Sequence, residues 1–535
     1  MTAADLLVVA TPGLPLLLAV LAAMRPSPPR AAMMLPLAPL PALLAAVRGA
    51  GVPALVIDPD RLRLTLGLDP AASMLLGAAA LLWVVAAVHA ADGVRRGTYG
   101  ARFATCWLLS QAGCFGCFVS GDLPGFYLFF TLASLPAYAL VIETGAASAW
   151  RAGAIYLGLA IGGEVCQLFA FAVLAGMTQG ESLAIADAVR AMPAHPARNV
   201  VTLLLLVGFG LKAGLVPLHV WLPLAHPAAP APASAVLSGT IIKAGVIGLI
   251  RFMPPEVAAP AWGWVLVGVG LTTAFYGVLV GILQDNPKTV LAYSSVSQMG
   301  VVGAILGAGI ATADGTAPLA AAFYAAHHTL AKGAMFLAVA AAPRGVALLP
   351  ALLIAAGFGG LPPTGGYLAK LAAKPLLAGG LLGAAADASA IGSTALMLHV
   401  VRRLAAAPRP APDPVAAACW LVAAAASVAV PWLVSGALPG ALRAEATGPA
   451  ALLAAAWPVA AGAALHAVLA RAAPRLPRIP EGDILLPVER RLPAPEAFAG
   501  LASRLCALLE PWAASGLALL LVTLALWAAL AAAAA

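Results

Sequence analysis

Apolar runs of bilayer-crossing length alternate with short polar loops along the whole chain. They fall near 5–23, 31–47, 72–91, 102–120, 123–142, 151–176, 199–222, 232–252, 261–283, 288–309, 317–341, 346–376, 380–401, 415–437, 449–471 and 512–531. About 20 predominantly apolar residues cross the hydrocarbon core as a helix, so the pattern predicts an all-α polytopic membrane protein with about 14–16 transmembrane helices. Two runs are interrupted. One reads LKAGLVPLHVWLP, with Pro217 inside it, and the other FGGLPPTGGYLAK, with Pro362 and Pro363. Proline removes an intrahelical hydrogen bond and breaks a helix. Irregular backbone at membrane depth is tolerated only inside protein or beside a wet cavity. Each break carries a lysine, Lys212 and Lys370, and about five spans separate them. Paired interruptions of this kind mark internally repeated transporters.

Composition agrees. Of the 535 residues 62% are hydrophobic and only 9% charged, against about 25% charged in soluble domains, which excludes a soluble globule. The net charge of +8 is scattered through loops with no basic tract. It reads as headgroup and topology charge on a protein in a lipid bilayer, and no nucleic-acid partner is expected. Basic loops are nearly balanced between the two sides, with a slight preference for an outside N-terminus. The six cysteines are dispersed. Cys114 and Cys117 form a CxxC inside an apolar helix without a second ligand pair, so neither metal nor redox chemistry is expected there. Asp5 stands where a signal peptide would be basic, and the first run reads as a retained helix. A polar stretch from Arg471 to Arg504, with Pro474, Pro477, Pro480 and Pro487, reads as an interfacial or lateral segment and a contact between subunits.

The candidate chemistry lies in ionisable residues at depth, which are expensive to keep without a partner or a task. Lys212 is 13 residues past Asn199, about 20 Å along a helix and near the middle of a core about 30 Å thick. Lys243 lies 11 residues after Pro232, on a helix whose Ser234, Ala235, Ser238 and Gly239 allow close packing. Tyr324, His328 and Lys332 stand at i, i+4 and i+8 on one helix face, the spacing of a proton relay; His327 points about 100° away. Lys370 follows the second break, and Lys374, one turn on, marks the aqueous end. Glu164, 13 residues past Arg151, is a deeply placed carboxylate whose expected partner is Lys212. A buried carboxylate without one would be neutral. Asn286 and Pro287 read as a helix cap and first turn, flanked by Asp285 and Lys288. Tyr293, Ser294, Ser297 and Gln298 then form a polar stripe expected to wall a hydrated cavity. The plainer readings are snorkelling lysines and polar residues that glue helices together.

KAGLVPLHVWLPLAHPAAPAPASAVLSGTIIK, LAYSSVSQMG, HHTLAKGAMFL and GLPPTGGYLAK resemble the antiporter-like membrane subunits of complex I (NADH:quinone oxidoreductase). Mrp antiporters and energy-converting membrane hydrogenases carry related subunits. The resemblance runs from about residue 100 to 400. It implies two inverted five-helix repeats at 101–252 and 253–401, preceded by N-terminal helices in 1–100 and followed by C-terminal helices in 402–535. It also implies a proton pathway through Lys212, Lys243, His328, Lys332 and Lys370, with Asp285 and Lys288 as a matching loop motif; His219, Tyr324 and Lys374 are further supporting candidates read from the residues themselves. Two positions depart from the family's pattern: Thr131 stands where a glutamate partner of the first lysine is usual, and Tyr324 where another histidine is frequent. Glu164 is the candidate replacement for the missing glutamate.

The function so implied is a proton-translocating subunit of a multisubunit, redox-driven complex in a bacterial cytoplasmic membrane. The alternative is a subunit of a sodium/proton antiporter or of proton-coupled inorganic-carbon uptake. A haem or quinone enzyme is disfavoured, because His89, His219, His226 and His399 do not form a paired ligand set and no Fe–S cysteine cluster exists. A scaffold that has lost pumping is the reading that Thr131 motivates. No cofactor is expected on this chain, and any NADH, flavin or cluster chemistry would belong to partner membrane subunits.

Overall fold

The computed structural model describes residues 2–24, 27–49, 52–57, 64–178, 182–408, 411, 413–437 and 445–485. Its membrane helices are α1 (Ala3–Met24), α2 (Pro29–Arg48), α3 (Pro70–Arg95), α4 (Ala101–Val119), α5 (Leu123–Val141) and α6 (Ala147–Met177). After a short α7 (Ile185–Ala191) come α8 (Arg198–Ala213), α9 (Trp221–Ala228) and α10 (Ala231–Phe252). Then follow α11 (Pro260–Ile282), α12 (Pro287–Thr312), α13 (Ala317–Ala341), α14 (Leu349–Gly359), α15 (Gly365–Leu377), α16 (Gly380–Ala406), α17 (Pro414–Val434) and α18 (Pro449–Ala472). Among the described residues, 12 spans are long and apolar enough to cross a membrane. Helices α4 and α13 reach 19 and 25 residues with polar side chains inside them. The chain is therefore an integral membrane protein of the expected class. The run near 512–531 and the second half of the polar stretch lie outside the described residues.

Both breaks fall where the prolines place them. Helix α8 ends at Ala213 with Gly214 in the left-handed region (φ 82°), and the chain passes through a short 3-10 turn (Leu218–Val220) into α9. Helix α14 ends at Gly359 with Gly360 in the left-handed region (φ 103°), and α15 begins after Pro362 and Pro363. Five spans from α4 to α10 have the fourth one broken, and five from α11 to α16 follow in the same order.

Several spans start at aspartate or asparagine caps beside a proline. Asp69, Asp122, Asn286 and Asp413 accept from the backbone N–H of Ala72, Gly125, Lys288 and Ala416 at 2.8, 2.7, 3.0 and 2.9 Å. Each satisfies a donor that the first helical turn leaves free. An antiparallel hairpin, β1 (Val52–Ile57) with β2 (Leu64–Leu68), occupies part of the loop after α2. It is tied to the start of α5 by Thr65 N–H donating to Asp122 at 2.5 Å.

Helices α10, α12 and α13 are buried along nearly their whole length. Glycine allows α12 its close approach to α11. A Cβ at Gly270 would come within 2.6 Å of both the Gly300 oxygen and the Ala304 nitrogen, so the two backbones touch there. Helix α13 packs against α3, α10, α12, α15 and α17 and forms the centre of the bundle.

Candidate functional site

The predicted lysines lie inside this bundle at three places. The first is the end of α8. Lys212 is buried, and its Nζ donates to the Ser134 hydroxyl on α5 at 2.7 Å. It lies 5.5 Å from the Phe130 ring centre and 5.8 Å from that of Tyr156, the range of a cation–π contact. Helices α6 and α8 approach closely at Gly163 and Gly208, which brings Glu164 to the same site. The expected direct pair is not formed, since no Lys212–Glu164 contact falls within 4.0 Å. Ser134, together with Thr131, lies beside the Glu164 carboxyl, and Lys212 acts on that carboxyl electrostatically. A serine thus stands between the two charges. Glu164 Oε1 and the Thr131 hydroxyl are buried without hydrogen-bond partners. Ser134 was legible as the residue one turn after Thr131, but nothing local marks it as the lysine's partner.

The second place is the centre. Lys243 Nζ lies 2.6 Å from His328 Nδ1 and donates to the Ser238 carbonyl at 3.1 Å. Ser238 belongs to a π turn, Leu237–Ile241, an irregularity that often falls at functional positions. On α13, one turn after His328, Lys332 donates to the Leu291 carbonyl at 3.0 Å and lies 3.8 Å from Met397 Sδ. Its Nζ is 5.1 Å from the Phe358 ring centre. Tyr324 donates to Gln298 at 2.8 Å, and Gln298 donates to Ser393 at 2.9 Å. The α13 row and the α12 stripe therefore meet as a polar layer. Among the described residues no carboxylate forms an ion pair with Lys243 or Lys332.

Two histidines that the sequence reading left aside join this layer. His226 of α9 is fully buried with both ring nitrogens unpartnered, within electrostatic reach of Lys243, Lys288 and Lys332. His327 is likewise unpartnered and within reach of Lys370. A Cβ at Gly365 would lie 2.8 Å from His327 Nδ1, so the glycines after the second break make room for this ring.

The third place is that break. Lys370, Lys374, Tyr324 and Asp387 line a partly open cavity of about 370 Å³. Lys374 pairs with Glu445 at 2.9 Å near the surface. At a loop edge, Lys288 donates to the Ala229 carbonyl at 2.6 Å, and Asp285 pairs with Arg403 at 3.1 Å and with Arg478. His219 lies in the 3-10 turn of the first break. Its Nε2 is 2.9 Å from Asp483 of the segment after α18, a contact between distant parts of the chain that no sequence signal announced.

Residues 120–345 match the family described as NADH:quinone oxidoreductase/Mrp antiporter, TM, and the resemblance read from the motifs holds over that stretch. The chain is 32% identical over 296 residues to Hydrogenase-4 component B of Escherichia coli (strain K12), across 52% of this chain and 43% of that one. It is 27% identical over 325 residues to a Na(+)/H(+) antiporter subunit of Alkalihalophilus pseudofirmus, across 57% of this chain and 65% of that one. The matches thus span less than two thirds of these relatives' own length. In fold it is similar to a chain of the Mrp complex from Dietzia sp. DQ12-45-1b, with a TM-score of 0.72 at 22% identity, over 99% of this chain and 63% of that chain.

Proposed function

We propose that this chain is a proton-translocating, antiporter-like subunit of a larger membrane complex, whose other subunits supply the driving reaction. The carrying observation is the buried amine–imidazole pair of Lys243 and His328, 2.6 Å apart, with the Lys332 amine one turn along the same helix and no carboxylate paired to either lysine among the described residues. Two amines and an imidazole so placed compete for protons in a medium of low dielectric. A nearby change of charge is therefore enough to load or unload them. Lys212, Ser134 and Glu164 form the first station, the Lys243–His328–Lys332 group the second, and Lys370 with its cavity the opening toward water. The two runs of five spans are the inverted repeats that carry these stations. The names of the relatives, a hydrogenase component and an antiporter subunit, fit a chain that works within an assembly.

Sodium/proton exchange is the second reading. The hydroxyl and carboxyl oxygens of Thr131, Ser134 and Glu164 favour it, since hard cations take oxygen ligands. One experiment separates the two. The complex that holds this chain is reconstituted in vesicles, and proton movement is followed with a pH-sensitive dye, with and without sodium. Sodium-independent proton movement that Lys332→Ala abolishes supports the proposal. Movement that stops without sodium selects the antiporter, and movement unaffected by Lys332→Ala rejects this pathway.

A further inference from the structure

The segment after α18 does not simply lie along the bundle. It is clamped at the loop edge, where Arg478 pairs with Asp285 and Glu481 accepts from Thr289 at 2.7 Å and from Asn286 at 3.2 Å. Two residues on, the chain turns inward. Asp483 has positive φ (31°), and its side chain is only 2% exposed. Its carboxylate accepts from Tyr293 at 2.6 Å, Tyr276 at 3.1 Å and His219 Nε2 at 2.9 Å. His219 belongs to the first broken span, Tyr276 to α11 and Tyr293 to α12, so one carboxylate joins the two runs of five spans.

The far side of the imidazole is different. His219 is fully buried, and its Nδ1 has no hydrogen-bond partner among the described residues. With Nε2–H held by Asp483, Nδ1 carries the free lone pair. A proton accepted there makes an imidazolium that the carboxylate stabilises as an ion pair. Release of the Nε2 proton toward Asp483 then completes a transfer across the ring and leaves the other tautomer. Burial pushes the Asp483 carboxyl up, but the hydrogen bonds of His219 and Tyr293 lower it, and the charge of His219 as the imidazolium lowers it further, so that the group lies below its ordinary value. The ionised form is thus the resting acceptor. The titratable groups that face the dyad are Tyr276, Tyr293 and Glu481.

We propose that Asp483 and His219 form a carboxylate–imidazole proton-transfer dyad, in which the segment after α18 delivers to His219 a carboxylate that no membrane helix places beside it among the described residues. The dyad opens a side branch from the Asp285 edge toward the buried path. This inference rests on the proton-translocation reading above.

The test uses the intact complex reconstituted in vesicles, with proton movement read across a pH series. Asp483→Asn is expected to slow movement at least fivefold and to change the pH profile, and Asp483→Glu to restore at least half of the rate. His219→Gln keeps an N–H toward Asp483 but cannot take up a proton. It is expected to slow movement at least fivefold while assembly and thermal stability stay as in the parent, and it decides the matter if Asp483→Asn fails to assemble. Unchanged rate and pH profile in His219→Gln overturn the dyad. If Lys332→Ala is inactive while both dyad variants are silent, only this inference falls. If Lys332→Ala is silent as well, the proton-translocation reading falls with it.

Discussion

The two halves of the membrane domain surround their buried lysines differently. In the first half Lys212 has a hydroxyl at 2.7 Å and a carboxyl acting on it from behind that hydroxyl. In the second, Lys332 has a backbone carbonyl, a thioether and an aromatic ring, and the cavity beside Lys370 lies next to α13 through Tyr324. Counter-charge is at hand at Lys212. At Lys332 only dipoles and polarisable groups stabilise a cation. A buried ion pair holds its charges firmly, because removing either partner leaves the other uncompensated; an amine among dipoles gives its proton up more readily. The difference points to a Lys212 station that senses charge and a Lys332 station that passes protons on.

Making the halves alike is the strongest way to break this comparison. Met397→Glu would place a carboxylate beside the Lys332 amine and fix the charge there. Proton movement by the assembled complex is expected to fall about tenfold or more, equivalent to at least ~1.4 kcal/mol on the barrier. A parent-like rate would show that a missing counter-charge is not what lets Lys332 work.

A milder intervention sharpens the first half. Ser134→Ala and Glu164→Gln are each expected to slow proton movement severalfold. The double variant should be no worse than the poorer single one, because the serine carries the coupling; residues in one network show interaction terms of about 0.5–3 kcal/mol. Additive losses would mean that Glu164 acts on Lys212 independently of Ser134.

The rigid frame of the second half can be tested by packing. Gly270→Leu has no room where α11 and α12 touch and is expected to destabilise the protein by about 1–3 kcal/mol, read by thermal unfolding in detergent. The corresponding change at Gly268, where nothing stands within 4 Å of a Cβ, should be near neutral. Smallest is the cap of α17. The Ala416 N–H, with the charge of Arg96, holds the Asp413 carboxyl below its ordinary value of 3.8. Its contribution is full above that value and is lost as pH falls through the lowered one. Asp413→Ala should therefore cost about 1 kcal/mol near neutral pH, a difference from the parent that shrinks in acid.

Much of this architecture was legible along the chain, because a bilayer imposes a length and a hydropathy on each span. The runs read between residues 5 and 471 coincide with the described helices to within a few residues, and both proline breaks fall where proline chemistry puts them. The Pro-rich run near 31–47 is apolar enough to count as a span, although the chain bends inside it at Pro39. Tyr324, His328 and Lys332 came from helical spacing alone. What stayed hidden depended on contacts between distant parts of the chain. The 100° offset of His327 looked like a reason to discard it, but that direction leads to the second break. Ser134 mattered only once α5 and α8 were in contact. The strand pair 52–57 and 64–68 lay in a stretch read as loop. Asp483, one acid in a polar stretch, gave no local sign that it turns inward to meet His219.

The most direct test of the central claim is the number of protons moved per turnover of the driving reaction in vesicles holding the intact complex with Lys243→Met. This substitution keeps the bulk and removes the amine beside His328. The driving reaction is expected to continue or slow while proton movement through this chain ceases. An unchanged number of protons per turnover would contradict it.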